Sequence, residues 1–275
     1  MKILFLAKHK PFAEDAAELI RHHVYEAEII FGNVNDPFPN HLLIEHFDYV
    51  ISYISPWIIP KQVLDNTKVA AINFHPGPPE YPGIGCTNFA IYNSEKEFGI
   101  TVHHMTERVD SGNIITVKRF PIFDNDTIYT LTQRCYAYIY MAFLKVFSLI
   151  LSNKPLPKSE DQWIKKPFTR KELNDLCRIT NNMSEEEIKR RVRATTYPEM
   201  QGAFIELAGI KFSVDTSADK ESERTNAEDY NIGRGGARKG LDRFDQNLRT
   251  IRNCRHLRPA ACDKVGICRY TCFRK

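Results

Sequence analysis

The stretch VAAINFHPGPPEYPG, Val69–Gly83, decides the reading of the chain. It begins as a run of small and apolar residues, the pattern of a strand buried on both faces. It then places Asn73 and His75 two positions apart and enters a loop with four prolines and two glycines in the eleven residues from Asn73 to Gly83. Residues two apart on a strand point to the same face, so Asn73 and His75 converge on one small volume. In an open α/β sheet, ligands bind beyond the C-terminal ends of the strands, where this pair falls. An Asn amide donates to an oxygen, a His exchanges a proton near neutral pH, and the prolines limit the freedom of the loop behind them.

Upstream, ILFLA (3–7), AEIIFG (27–32) and DYVISYI (48–54) read as three earlier strands. EDAAELIRHHVYEA (14–27), HLLIEHF (41–47) and PKQVLDN (60–66) read as the helices between them. Strands alternating with helices predict a Rossmann-like open, mostly parallel α/β sheet with helices on both faces. Downstream, CTNFAIYNSE (86–95) reads as a helix, and FGITVHHM (98–105) and NIITVKRFPI (113–122) as an antiparallel pair. Residues 126–152 form a long helix, apolar on more than one face and therefore buried. Asp110, in the link RVDSG between the paired strands, adds a carboxylate at the same sheet edge. His103 and His104 are adjacent and face opposite ways, which argues for packing rather than a shared metal.

NKPLP (153–157) is a linker-like break. Beyond it, FTRKELNDLCRI and SEEEIKRRVRAT read as helices, the second capped by Ser184 with Glu187 three residues on. GAFIELAGIKFSVD (202–215) alternates like a hairpin turning at AGI. The expected divisions are thus a catalytic domain, 1–152, a small C-terminal helix and β-hairpin subdomain, 153–215, and a tail, 216–275. The tail carries 14 Lys+Arg against 8 Asp+Glu, while the other residues carry 24 against 26. With no apolar periodicity it is expected to be disordered or divergent. The seven cysteines lack paired CxxC spacing and read as reduced thiols, with no metal expected. No signal peptide or membrane span stands out, which makes a cytoplasmic protein the expectation.

INFHPGPPEYPG followed by FGITVHHMTERVDSGNII resembles the folate-dependent formyltransferase family, over about residues 1–215. The resemblance implies that Asn73, His75 and Asp110 are catalytic and that 10-formyltetrahydrofolate is the co-substrate. YISPWIIP (53–60) resembles the family's pterin-lining loop, which implies cofactor contacts from Trp57, Ile58 and Ile59, and from Arg108 and Val109 beside Asp110. The loop HPGPPEYPG and the segments KKPFTRKELNDL and RRVRATTYP resemble the N-formyltransferases that act on nucleotide-linked amino sugars. That implies a dTDP- or GDP-linked, 3- or 4-amino dideoxy sugar as acceptor, of the kind used in O-antigen and lipopolysaccharide biosynthesis. Nucleic acid is not expected as a partner. Candidate acceptor contacts are Pro78, Glu80, Tyr81 and Gly83, with Tyr81 stacking on a base or sugar and Glu80 accepting from a hydroxyl. Lys8 and Lys10, after the first strand, stand where phosphate often sits. The hairpin is a candidate homodimer contact, since two strands alone are marginal. A methionyl-tRNA formyltransferase, or a formyltetrahydrofolate hydrolase or binder, remains as the alternative.

Overall fold

The computed structural model describes residues 1–198, 200 and 202–213. The chain opens with strand β1 (Lys2–Ala7), helix α1 (Ala13–His23), β2 (Glu26–Phe31) and β3 (Phe47–Tyr53). A short helix α2 (Lys61–Asp65) leads to β4 (Thr67–His75), followed by α3 (Cys86–Tyr92), β5 (Glu97–His104), β6 (Ile114–Pro121) and the long α4 (Ile128–Leu151). These six strands form one sheet in the order β2-β1-β3-β4-β5-β6. The first four are parallel, and β5 and β6 then pair antiparallel. The mostly parallel α/β sheet predicted from the strand–helix alternation is therefore the observed one.

Strand pleating sorts side chains onto two cores. Ile3, Phe5, Ile51, Ile72 and Phe74 point into the larger, under α1, α3 and α4. Leu4, Leu6 and Val50 point into the smaller, with Leu42, Ile59 and Val63. The aromatic ring of Phe143 on α4 meets Phe5, Tyr53 and Phe74 at 6.2, 5.8 and 5.8 Å. Among the described residues α4 is the one helix long and apolar enough to cross a membrane, with mean hydropathy 1.4; in this fold it lies on the sheet. Thr127 caps it in a reciprocal box with Thr130.

Three predicted helices are shorter than their apolar patterns. The first stops at His23, because Val24 is extended and Glu26 and Ala27 already pair with β1. The segment 41–47 keeps one 3₁₀ turn, Asn40–Leu43, since Phe47 is drawn into β3. The helix starting at Cys86 ends at Tyr92, capped by Asn93, with Ser94 at a positive φ of 55°.

After α4 the chain forms α5 (Arg170–Cys177), β7 (Arg178–Ile179), α6 (Glu185–Thr195), β8 (Phe204–Leu207) and β9 (Ile210–Ser213). Ser184 caps α6 as predicted, but Glu187 turns to Arg190, Arg191 and the Tyr92 hydroxyl instead of closing a box. The hairpin β8–β9 turns at Ala208-Gly209, both at positive φ. It is not a lone pair: β7 adds to it in parallel, giving a three-stranded sheet. The predicted basic tail, 216–275, lies outside the described residues.

Candidate active site

Asn73 and His75 lie on the last residues of β4, on the face opposite Ile72 and Phe74. β5 runs antiparallel beside them, and its register sets His103 directly across from Asn73. The chain then turns through residues 105–113 and returns as β6. Asp110 sits on that turn with φ 42°, a strained left-handed backbone for a non-glycine residue. The turn closes because Gly112 approaches the His104 carbonyl so nearly that a Cβ would stand 1.8 Å from that oxygen.

The four side chains form one network around the Asp110 carboxylate. Oδ2 lies 3.2 Å from His75 Nδ1 and accepts the Gly83 backbone N–H at 2.7 Å. Oδ1 lies 3.2 Å from His103 Nε2 and accepts from Asn73 Nδ2 at 3.4 Å. Asn73 Nδ2 is also 3.1 Å from His103 Nε2, while His103 Nδ1 donates to the His104 carbonyl at 2.9 Å. In that tautomer the neutral His103 ring accepts from Asn73; a protonated ring donates to Asp110 instead. His75 Nε2 stands 3.0 Å from the Tyr81 carbonyl oxygen, so each of its ring nitrogens faces an oxygen that can only accept.

Asp110, His75 and His103 are all buried. Burial alone would push the Asp110 carboxyl up; the adjacent His75, the His103 contact and the Gly83 N–H outweigh it and hold the group at about 2. The site therefore keeps a buried carboxylate between two imidazoles, with Asn73 Nδ2 held against both Asp110 Oδ1 and His103 Nε2. Nearby Cys86 donates to the Pro76 carbonyl, and burial pushes its thiol up to about 12, which suits a packing role. Among the described residues no group of three His, Cys, Asp or Glu is placed to hold a metal ion.

Residues 13–146 match the sequence profile of the formyl transferase family. Those residues carry a formyl transferase domain. GDP-perosamine N-formyltransferase of Brucella melitensis biotype 1 is 29% identical over 168 residues, 61% of this chain and 64% of that protein. Methionyl-tRNA formyltransferase of Lactobacillus gasseri is 26% identical over 170 residues, 61% of this chain and 52% of that protein. The match thus spans about half to two thirds of these relatives' length. A sugar N-formyltransferase from Shewanella superimposes with TM-score 0.63 at 19% identity, covering 78% of this chain and 96% of that one. The N-formyltransferase of Helicobacter canadensis, solved with folinic acid and dTDP-3-aminofucose, superimposes with TM-score 0.60 at 22% identity, covering 76% and 85%. At these identities the likeness establishes the fold.

Within the formyl transferase domain, the acceptor contacts predicted in the proline-rich loop are placed differently from expectation. Tyr81 is 2% exposed; its hydroxyl donates to Glu95 at 2.5 Å and its ring lies against Phe98 and Phe168. It is a core residue and offers no ring to a base or sugar. Glu80 is held by Arg119 through two hydrogen bonds, at 2.8 and 3.1 Å, so its carboxylate is already engaged. Pro78 is buried, its carbonyl accepting the Tyr81 N–H at 2.8 Å. Gly83, at φ +86°, contributes through its N–H to Asp110, and a side chain there would strike the Phe168 backbone.

The predicted cofactor contacts divide. Ile58 is 73% exposed beyond β3, whereas Ile59 is buried in the smaller core and its side chain is closed to a ligand. Trp57 lies over Gly32 and donates to the Asp36 carbonyl at 2.9 Å, which joins its loop to the loop after β2. Arg108 and Val109 are exposed on the turn beside Asp110, and the Arg108 carbonyl accepts from Ser111 and Thr106. Lys8 and Lys10 follow β1; burial, then Lys10 and Arg170, push the Lys8 ammonium down. Arg170, which begins α5, thus adds its positive charge to the surroundings of Lys8, a contribution no local sequence pattern signals. His103, read as packing, belongs instead to the Asp110 network.

Proposed function

We propose that this domain transfers a formyl group from 10-formyltetrahydrofolate to the amine of a nucleotide-linked dideoxy amino sugar, dTDP- or GDP-linked and amino at position 3 or 4. The observation that carries the reading is the Asn73–His75–Asp110 cluster, with His75 and Asp110 buried, at the C-terminal edge of the sheet. The neighbour solved with folinic acid and dTDP-3-aminofucose, and the GDP-perosamine relative, support the donor and acceptor classes. O-antigen or lipopolysaccharide synthesis in the cytoplasm is the setting in which such a sugar is consumed.

The donor set fits a formyl group: an amide N–H for its oxygen and an imidazole–carboxylate pair for a proton. As the amine attacks the formyl carbon, Asn73 donates an amide N–H to the oxygen that gains charge. A preorganised donor of this kind contributes about 3–4 kcal/mol. His75, turning Nε2 from the Tyr81 carbonyl to the substrate, takes the proton released by the attacking amine or stabilises the same oxygen. Asp110 orients His75 through Nδ1 and supports its positive charge, and proton return to the leaving nitrogen completes the transfer. Trp57, Ile58 and the backbone of Ile59, with Arg108 and Val109, would hold the folate. Lys8, Lys10 and Arg170 would receive the diphosphate of the acceptor, since the positive charge of Lys10 and Arg170 around the half-buried Lys8 favours an anion there. Exposed Leu207, Ile210 and Phe212 on β8–β9 would pair two copies, which light scattering checks.

The test combines purified protein, 10-formyltetrahydrofolate, a panel of nucleotide-linked 3- and 4-amino sugars, and methionyl-tRNA, with His75→Ala beside it. A His75-dependent formylated sugar supports the reading. The methionyl-tRNA formyltransferase relatives favour a second reading, and product on tRNA alone would select it. Folate binding with no transfer would point to a hydrolase or binder.

A further inference from the structure

Between α4 and α5 the chain has no long regular element, yet it is fastened at several points to the two loops that build the site. The Ser159 N–H donates to the Ile114 carbonyl at 2.9 Å, and Trp163 Nε1 donates to the Gly112 carbonyl at 2.8 Å. The Phe168 N–H donates to Pro82 at 2.9 Å, and Ile84 N–H returns to Phe168 at 3.2 Å. Asp161 lies 3.5 Å from Arg119, the same guanidinium that grips Glu80. The strap thus ties the turn carrying Asp110 to the loop carrying Gly83, the two ends of one hydrogen bond in the catalytic network.

Trp163 is the side chain this strap turns inward. Its indole meets the His103 ring edge-on, at 5.0 Å and 87°, and the His75 ring at 6.0 Å and 73°. It is half-buried, while Gln162 and Ile164 on either side are exposed. It also lines a cavity of about 420 Å³ together with residues 111–114 and 158–162. The indole therefore borders both that cavity and the two imidazoles. Edge-to-face aromatic contacts fix ring orientation, and a wall that keeps water from a charged site strengthens every interaction within it.

We propose that Trp163 is a positioning residue for formyl transfer, which holds His75 and His103 in place and keeps water from the reacting carbon. The proposal rests on the reading of the preceding subsection. Water is the competing nucleophile in any such reaction. It adds to the formyl carbon, the bond from that carbon to the donor nitrogen breaks, the nitrogen takes up a proton, and formate leaves. Opening the wall diverts formyl groups from the amine to water.

Two measurements on wild type, Trp163→Phe and Trp163→Ala test this. The first needs no substrate: modification of individual histidines by diethyl pyrocarbonate, followed by peptide mass spectrometry, with exposed His9 as internal standard. Loss of the wall should speed modification of His75 and His103 about fivefold or more in Trp163→Ala while His9 is unchanged. The second is the ratio of formate to formylated amine, expected to rise about tenfold in Trp163→Ala. Trp163→Phe keeps an aromatic face but loses the donor to Gly112, and should fall between the two. Unchanged histidine reactivity would overturn the proposal. So would faster modification with an unchanged product ratio, which would reduce Trp163 to a structural cover. If wild type formylates no amine, the proposed function fails, and the histidine reactivities alone decide the covering role.

Discussion

Asn73 on β4 and His103 on β5 face each other across an antiparallel pair, with Asn73 Nδ2 3.1 Å from His103 Nε2 and both within reach of Asp110 Oδ1. The amide that we propose as oxyanion donor is thus aimed by a histidine. Because His103 Nδ1 is anchored on the His104 carbonyl, the ring cannot rotate without losing a hydrogen bond. His103→Ala removes the aim of Asn73 and one partner of a buried carboxylate. Leaving a buried group short of a partner costs about 1–3 kcal/mol, so kcat should fall roughly ten- to a hundredfold. The KM for folate should change little, and His103→Gln should recover part of the rate. Steady-state kinetics of the three proteins check this.

Asp110 supplies a pH prediction with a definite sign. Its folded value, about 2, lies below the ordinary carboxylate value of 3.8. A depressed carboxylate stabilises the fold fully above its unfolded value, and that contribution disappears as pH falls through the folded one. The window is therefore from about pH 4 down to about pH 2, and the linked stability is on the order of 2 kcal/mol. Chemical denaturation of wild type and Asp110→Asn should give a stability difference that is flat above about pH 5 and shrinks below pH 4. The same variant should have lost nearly all transfer at every pH.

How much of this was readable beforehand depended on range. The β4 strand and its Asn73–His75 pair could be read because pleating is local: alternate residues share a face whatever the partner. Asp110 could be placed at the same edge because its link is short. The role of His103 is not legible in the same way. Its meaning comes from the register with β4, thirty residues away, which no local pattern encodes. Tyr81 was misjudged because the proline-rich loop turns its aromatic residue inward, where Glu95 and Asn93 satisfy the hydroxyl. Trp163 lies in a strap with no periodicity, held by contacts to residues 51 and more positions away in sequence. The two-residue β7 is too short to announce itself.

Gly77 illustrates why the loop is built as it is. A Cβ there would lie 2.7 Å from His75 Nε2 and from the Tyr81 carbonyl oxygen, and 2.9 Å from Cys86 Cβ. Gly77→Ala must therefore displace either the His75 ring or the carbonyl that faces it. Overpacking of this kind costs about 1–3 kcal/mol of stability. A displaced His75 should lower kcat by an order of magnitude or more, because a misplacement near 1 Å at a reacting group costs about a hundredfold. Thermal melts and kinetics on one preparation separate the two effects: a small stability loss with a large kcat loss is expected.

The cluster of Lys8, Lys10 and Arg170 predicts a different kinetic signature. Burial and its two like-charged neighbours push the Lys8 ammonium down, so a bound diphosphate should relieve repulsion as well as gain contacts. In the proposed reading these cations hold the acceptor's phosphates, remote from the formyl carbon, and would contribute equally to ground state and transition state. Replacing Lys8 by Met should therefore raise the KM for the nucleotide sugar about tenfold, with kcat and the folate KM nearly unchanged. The variant should also respond less to added salt, since one screened attraction is gone. A fall in kcat at constant KM would place Lys8 at the chemistry instead. No change in either would remove the cluster from the acceptor site and leave Lys8 as a solvated neighbour of Lys10.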